Sequence, residues 1–291
     1  MTRRRALALA LAASAAAACG QTPVAVSPRD HPIPAEDLRA APDPPAATPS
    51  RPAAPAVSRD PAVIAARATV PALCYHQIRE WRGGESDYSR SMTTPPALFA
   101  AQMRLLAEEG WNTISMKEYD DHLRLGTTLP GKPVLLTFDD AHGTQLQALP
   151  ILKRHQHRAT FFLMTVVLGK PDWMGSDDVR RVAALGYDIG AHTYDHQNMA
   201  TLPAKEFDEQ LVRSRQTLET LVGASVPWFA YPFGAWRPRT LPFVEKAGYT
   251  AAFQLRDHPL DPARPMRTLR RSLAGSLDEV AGFRTQLRAM T

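Results

Sequence analysis

Seven short aliphatic runs, each followed by a stretch of helical periodicity, constrain the fold of this chain more than any other feature. The runs cover residues 71–75, 112–115, 133–138, 159–163, 187–191, 228–231 and 250–255. Between them, "PALFAAQMRLLAEEG" closes at Gly110, and "SMKEYDDHLRLG" carries a capping box of Ser115 and Glu118. "TQLQALPILKRH" follows, then "SDDVRRVAALG" with Ser176 as its N-cap, and "PAKEFDEQLVRSRQTLETLVG" reads as the longest helix. "RTLPFVEKAG" and "SLDEVAGFRTQLRAM" complete the series. Strand and helix alternate at least six times, which predicts a parallel α/β architecture, open or closed into a barrel. In either form, chemistry gathers at the carboxyl ends of the strands. Four polar clusters fall there: "YH" at 75–76, "DD" at 139–140, "HTYDH" at 192–196 and "YPFG" at 231–234.

The 291 residues are 44% apolar, enough for a sizeable core, and carry a net charge of +5. The Lys and Arg residues are scattered rather than gathered in a stripe, so the charge reads as a solvated basic surface and nucleic-acid binding is not expected. The start, "MTRRRALALALAASAAAACGQ", joins basic residues to a short apolar segment and a small-residue run ending at Cys19. It is a secretory signal over 1–18, too short for a spanning helix. The ending "AAAC" resembles the lipobox of bacterial lipoproteins, with Ala16 where Leu is more usual, and implies a lipidated Cys19. Residues 19–62 are rich in Pro and Ala and read as a disordered, extended tether. The domain proper is expected over 63–291. Cys74, in the apolar run "VPALCYH", then has no partner for a disulfide and reads as a buried core thiol.

Asp139 and Asp140 stand side by side at a strand end, and two adjacent carboxylates in one site repel unless each gains a partner. A divalent cation is the simplest partner. His192 and His196 are four residues apart, and one helical turn after the strand would bring both rings to one side. With one Asp they form a three-ligand site that leaves positions open for water and substrate, the mark of a catalytic metal. In isolation "DD" could equally be an Asx-type turn closing a strand.

"TFDD", "HTYDH" and "YPFG", in that order and each after an expected strand, resemble motifs one to three of the NodB-homology polysaccharide deacetylases, carbohydrate esterase family 4. The resemblance covers about residue 70 to the C-terminus. It implies a distorted (β/α) barrel, Asp139 as general base, and Asp140, His192 and His196 as metal ligands. Tyr231, Pro232, Phe233 and Gly234 would wall the substrate groove, with a backbone N–H near Tyr231 as oxyanion donor. Trp236 is expected in the groove as well, whereas core packing competes for Phe233. "ALCYHQI" and "FAYPFG" are similar to the poly-β-1,6-N-acetylglucosamine deacetylase branch. Ala230 replaces the Arg of motif three that orients the base, so another residue must hold Asp139. Motifs four and five have no counterpart, and the chain reads "LRRSLAG" near its end.

The reaction expected is metal-dependent N-deacetylation of an N-acetylglucosamine polymer. Zn2+ is the default cofactor, with Co2+, Ni2+ or Fe2+ also accepted by such a ligand set. His76 is the first candidate for general acid, against a structural histidine, and His258 the second. Asp195 is expected either to bond an imidazole or to be exposed. A catalytically silent carbohydrate-binding lipoprotein and an O-acetyl esterase are the alternatives. The expected setting is the periplasmic face of a bacterial membrane, through a lipid anchor only. Gly20 after the lipidated Cys suggests the outer membrane, and a monomer is expected.

Overall fold

The computed structural model describes residues 57–255, 258–274 and 279–290. The signal segment 1–18, Cys19 and the tether up to residue 56 lie outside the described residues. The strands, in chain order, are β1 (Ala72–Tyr75), β2 (Gln77–Ile78), β3 (Thr93–Thr94), β4 (Asn112–Thr113), β5 (Pro133–Asp139), β6 (Thr160–Leu163), β7 (Asp188–Ala191), β8 (Trp228–Ala230), β9 (Ala251–Phe253) and β10 (Ser272–Leu273). Seven of them pair in parallel in the order β10-β1-β5-β6-β7-β8-β9, and β4 joins β5 at its start. The sheet curls round on itself. Leu269 bridges Phe253 of β9, and three residues later Ser272 and Leu273 pair with Leu73 and Cys74 of β1. The segment 269–273 therefore completes the ring of the distorted barrel that the strand–helix alternation predicts.

Side chains alternate between two cores, as the period of a strand requires. Ala72, Leu135, Phe162, Ala230, Ala251 and Phe253 fill the barrel with Ile114, Met116 and Leu269. Leu73, Tyr75, Leu136, Phe138, Phe161, Leu163 and Phe229 face outward under the helices. Both faces are apolar, so the strands read as continuous hydrophobic runs rather than alternating ones. Small inward residues make room for the large ones. A Cβ on Gly190 would lie 2.4 Å from the Phe162 ring.

One expected helix forms with its predicted cap. Ser115 caps Met116–Leu125 and Glu118 reaches back to close the capping box, with Gly126 left-handed at its end. At Ser176–Ala184 the structure corrects the reading: Gly175 is the N-cap, and its N–H is bound by Asp178 at 2.8 Å. The stretch predicted as the longest helix is three conformations in succession. Ala204–Glu206 is 3-10, Asp208–Arg213 is π-helical, and only Ser214–Val222 is α-helical. A helix at Pro61–Arg67 begins inside the segment expected as tether, capped by Asp60 with Pro61 at its first position. The rim sheet β2–β3 and the short helix Asp87–Ser91 between them are also new relative to the sequence reading.

Candidate active site

Asp139 is the last residue of β5, and the register of the sheet points its side chain into the barrel mouth. Arg271, on the segment leading into β10, meets it there. The two guanidinium nitrogens donate to the two carboxylate oxygens at 2.6 and 2.7 Å, and one also donates to Thr137 Oγ1 at 3.0 Å. Arg271 is wholly buried and lies over the rings of Phe162 and Phe253, 5.1 and 5.8 Å from their centroids. Aromatic faces and a bidentate carboxylate offset the cost of removing a guanidinium from water. Burial alone would raise the Asp139 pKa, but Arg271 and His192 outweigh it and hold the carboxyl below its usual range. Here, then, is the residue that stands in for the missing motif-three Arg.

The Cys74 thiol adds a further contact, with Sγ donating to Asp139 Oδ2 at 3.4 Å. Cys74 is buried as expected, and burial pushes its pKa up so that the proton stays on sulfur. It is not merely a packing residue, since it touches the carboxylate. Gln145, from the 3-10 turn after β5, pins the neighbouring strand ends by donating to the carbonyls of Asp139 and of His76, the latter at 2.8 Å.

Asp140 takes a different route. Its φ is +84° and that of Ala141 is +75°, a left-handed pair rare outside glycine. The chain turns away from the strand, and Asp140 Oδ1 comes to lie 3.3 Å from His192 Nε2 and 3.2 Å from His196 Nε2. His192 Nδ1 sits 2.8 Å from the Ala230 carbonyl, which can only accept, so Nδ1 carries the ring proton and Nε2 of the neutral ring is bare. A neutral His192 thus turns a lone pair toward the Asp140 carboxylate oxygen, and His196 presents its Nε2 to the same oxygen. Asp140 Oδ1 is moreover shielded from solvent without a hydrogen-bond partner. Donor atoms of the three residues lie within 4.8 Å of one another. One carboxylate and two imidazoles arranged in this way fit a divalent cation. Burial would raise the Asp140 pKa, but hydrogen bonds that the two rings donate when they take up a second proton outweigh it and hold the carboxyl well below its ordinary range, while the two carboxylates outweigh burial at His192 and raise its pKa.

The histidines do not come together by a helical turn, as the four-residue spacing suggested. Thr193 and His196 are both left-handed, with φ of +68° and +66°, and the chain folds back in a tight irregular loop. Thr193 Oγ1 accepts from the His196 N–H at 2.9 Å. The π-helical segment then holds the loop from outside. Gln210 Oε1 accepts from the Tyr194 and Asp195 amides at 3.2 and 3.4 Å, and Ser214 Oγ donates to the Thr193 carbonyl at 2.9 Å. Asp195, expected to touch an imidazole or solvent alone, instead accepts from Gln210 Nε2 at 2.7 Å.

Around these groups lies a cleft of about 370 Å³, lined by His76, Asp139, Asp140, His192, His196, Tyr231, Phe233 and Gly234, with Tyr88, Leu255 and Leu273 at its edges. A ring nitrogen of His76, the Cys74 sulfur and an Asp139 oxygen lie within 4.8 Å of one another, so His76 stands beside Asp139. Burial lowers its pKa and leaves the ring neutral. Phe233 is over half exposed, left-handed at φ +59°, and edge-on to His196 at 4.6 Å, so it faces the cleft rather than the core. Gly234 is obligatory, because a Cβ there would lie 2.4 Å from the Leu255 amide. Pro232 is buried behind Phe233. Tyr231 is buried too, and its own N–H donates to the Phe253 carbonyl at 2.9 Å, which rules it out as an oxyanion donor. Trp236 and His258 line a separate pocket next door.

The Polysaccharide deacetylase family model matches residues 126–252. Over 183 residues the chain is 28% identical to YxkH of Bacillus subtilis, spanning 62% of this chain and 63% of that protein. It is 30% identical to a peptidoglycan-N-acetylglucosamine deacetylase of Bacillus cereus, over 48% of this chain and 50% of the relative. It is 24% identical to a poly-beta-1,6-N-acetyl-D-glucosamine N-deacetylase of Staphylococcus aureus, over 66% and 73%. The chain thus spans less than two thirds of the length of the first two of these relatives. Among solved structures, IcaB from Ammonifex degensii superimposes with a TM-score of 0.62 at 26% identity, covering 74% of this chain and 96% of that one. The Streptococcus pyogenes deacetylase PplD has a TM-score of 0.68 at 21% identity, covering 75% and 97%, a likeness of fold. The motifs, the curled parallel sheet and the acid–histidine cluster agree with these matches: residues 126–252 are similar to the polysaccharide deacetylase family, on the NodB-type fold that solved deacetylases share.

Proposed function

We propose that this domain hydrolyses N-acetyl groups of an N-acetylglucosamine polymer, with Asp139 as base and a divalent cation held by Asp140, His192 and His196. The observation that carries this reading is the division of labour between two adjacent carboxylates. Asp139 is neutralised by Arg271, whereas Asp140 turns one carboxylate oxygen to two imidazole nitrogens. A divalent cation in that position supplies Lewis acidity toward the acetamide oxygen and toward water. Such acidity is needed, because a carboxylate held low by Arg271 is ionised at every working pH but weakly basic. Asp139 accepts the proton of the attacking water as the water oxygen bonds to the acetyl carbon. The C–N bond then breaks, and the sugar amine needs a proton. His76, neutral and beside Asp139, is the group placed to relay it.

Zn2+ is the default ion, and Co2+, Ni2+ and Fe2+ suit the same ligands. The silent-binder alternative rested on the absent Arg of motif three and the absent general-acid His; Arg271 meets the first ground, and His76 beside Asp139 is the candidate that meets the second. An esterase acting on O-acetyl groups would use the same groups. Poly-β-1,6-N-acetylglucosamine is preferred over peptidoglycan as substrate, because the S. aureus relative aligns over more of this chain than the B. cereus one. The signal and lipobox support a lipoprotein anchored through Cys19 at the periplasmic face of the outer membrane, with the polymer as sole partner and a monomeric chain.

The test is amine release from β-1,6- and β-1,4-linked N-acetylglucosamine oligomers by protein stripped of metal and reloaded, beside acetate release from O-acetylated sugars. Amine release that depends on the metal supports the proposal. Acetate release from esters alone would establish the esterase, and stoichiometric metal uptake with neither product would establish a binding protein.

A further inference from the structure

A pocket of about 460 Å³ is lined by Arg59, Arg124, Glu245, Arg264 and Arg267. It lies at the end of the barrel away from the catalytic cleft. Thr250 in its wall immediately precedes β9, and the 3-10 turn Pro265–Arg267 precedes the segment that closes the ring. Ile64 belongs to the helix Pro61–Arg67 ahead of β1, and Arg124 to the helix Met116–Leu125 ahead of β5. The paired strands run parallel, so residues that lead into them share the amino end of the barrel. Asp139, Tyr231 and Leu255 of the cleft stand at or beyond the carboxyl ends.

Four arginines meet two acids at this pocket, and the pairing is incomplete. Arg124 bonds Asp120 at 2.6 Å. Arg264 and Arg267 share the Glu245 carboxylate at 3.6 and 3.5 Å, and half of the Glu245 side chain is exposed. Arg267 also donates to the Thr250 carbonyl. Arg59 is exposed and has no partner among the described residues. The Nε atoms of Arg124 and Arg267 are shielded from solvent without a hydrogen-bond partner. An N–H taken from water without an acceptor is costly. Burial and the neighbouring charge of Arg124 hold Arg267 below the usual arginine range, which Glu245 does not fully offset. Such a pocket takes an anion. Phosphate fits better than a carboxylate, because guanidinium groups arriving from separate elements need more acceptor oxygens than a carboxylate offers.

We infer that this pocket binds the phosphate of an anionic lipid headgroup and seats the amino end of the barrel on a bilayer, with the cleft turned away from it. Val57 and Ser58 stand in the pocket wall, so the chain that leads from Cys19 joins the domain at this point. A flexible tether, as that stretch is read from the sequence, leaves orientation free. A phosphate grip beside its point of entry sets the orientation. The membrane part of the inference rests on the proposed lipid anchor, whereas the anion part rests on the arginines alone.

The experiment uses the full chain carrying Cys19→Ser, which removes the acyl anchor. Its binding is measured to vesicles of phosphatidylcholine with and without phosphatidylglycerol, and to inorganic phosphate by calorimetry. Arg59→Gln with Arg264→Gln is the pocket variant, since both side chains are exposed and buried Arg267 is spared. Arg104→Gln with Arg180→Gln removes the same charge from exposed helical positions elsewhere. Phosphatidylglycerol is expected to tighten vesicle binding, and the pocket variant to lose about tenfold or more of that affinity while the control loses less than about twofold. Equal losses in the two variants would reveal a general surface charge and overturn the inference, as would binding indifferent to phosphatidylglycerol. Inorganic phosphate bound by the parent but not by the pocket variant, with no preference among vesicles, would keep the anion site and discard the bilayer. Mass spectrometry of Cys19 in the unsubstituted chain tests the anchor separately. A missing acyl group beside intact pocket binding would overturn the lipoprotein reading alone.

Discussion

Arg271 and Asp139, 132 residues apart in sequence, form a bidentate ion pair inside the barrel from segments on either side of β1. The pair ties the closure of the barrel to the state of Asp139. Removing one partner leaves an unpaired charge in a dry site, which costs about 3–5 kcal/mol. Arg271→Met is therefore expected to lower stability by that order and to cut kcat by at least a hundredfold. Arg271→Lys keeps the charge but not the fork, and should recover stability more than activity. Denaturant titration and steady-state kinetics on the same samples check this, and equal recovery of both would contradict it.

Phe233 stands in left-handed backbone at the cleft wall, a conformation that costs a non-glycine residue about 1–2 kcal/mol. Being more than half exposed, it contributes little to the core. Phe233→Gly is expected to raise stability by up to about 1 kcal/mol once the entropy of the unfolded glycine is counted. KM should rise several-fold as the wall beside His196 is lost. A stability loss with unchanged KM would show that Phe233 packs rather than binds.

Asp188 accepts from the Met116 amide at 2.7 Å, and burial pushes its carboxyl up to about 6. The folded state keeps a proton that the unfolded chain releases near pH 4. Stability therefore falls as pH rises from about 4 to 6, by on the order of 2 kcal/mol, and stays lower above that. Asp188→Asn preserves the acceptor without the ionisation. It should be more stable than wild type at pH 7.5 and no more stable at pH 3.5. An equal difference at both values would contradict the assignment.

His76 is expected to matter in proportion to how badly the leaving group needs a proton. His76→Gln should lower kcat on the amide by about 10²–10⁴-fold and leave hydrolysis of an aryl acetate within a few-fold. Equal losses on both substrates would mean that His76 only shapes the cleft.

Most of the barrel was legible because its strands are buried on both faces and carry unbroken apolar runs. The strands missed are two residues long, too short for any periodicity: Gln77–Ile78, Thr93–Thr94 and Ser272–Leu273. The candidate metal ligands announce themselves through residue type, but the route to them does not. Left-handed Asp140, Thr193 and His196 sit where local pattern favours ordinary turns or a helix, and tertiary bonds from Gln210 and Ser214 override it. Arg271 was hidden by topology. "LRRSLAG" shows two arginines before a short apolar pair, and only the ring closure turns one of them inward to Asp139. The π-helical turn was equally invisible, since its composition is that of a regular amphipathic helix.

The central claim is that the two neighbouring acids have separate duties, Asp140 in holding the cation and Asp139 in moving the proton. Metal content and deacetylation should be measured together on wild type, Asp139→Asn and Asp140→Asn. The account predicts that Asp139→Asn binds one divalent ion per chain with near wild-type affinity and releases no amine, while Asp140→Asn loses both the ion and the activity. Amine release by metal-loaded Asp139→Asn at a rate near wild type would contradict it.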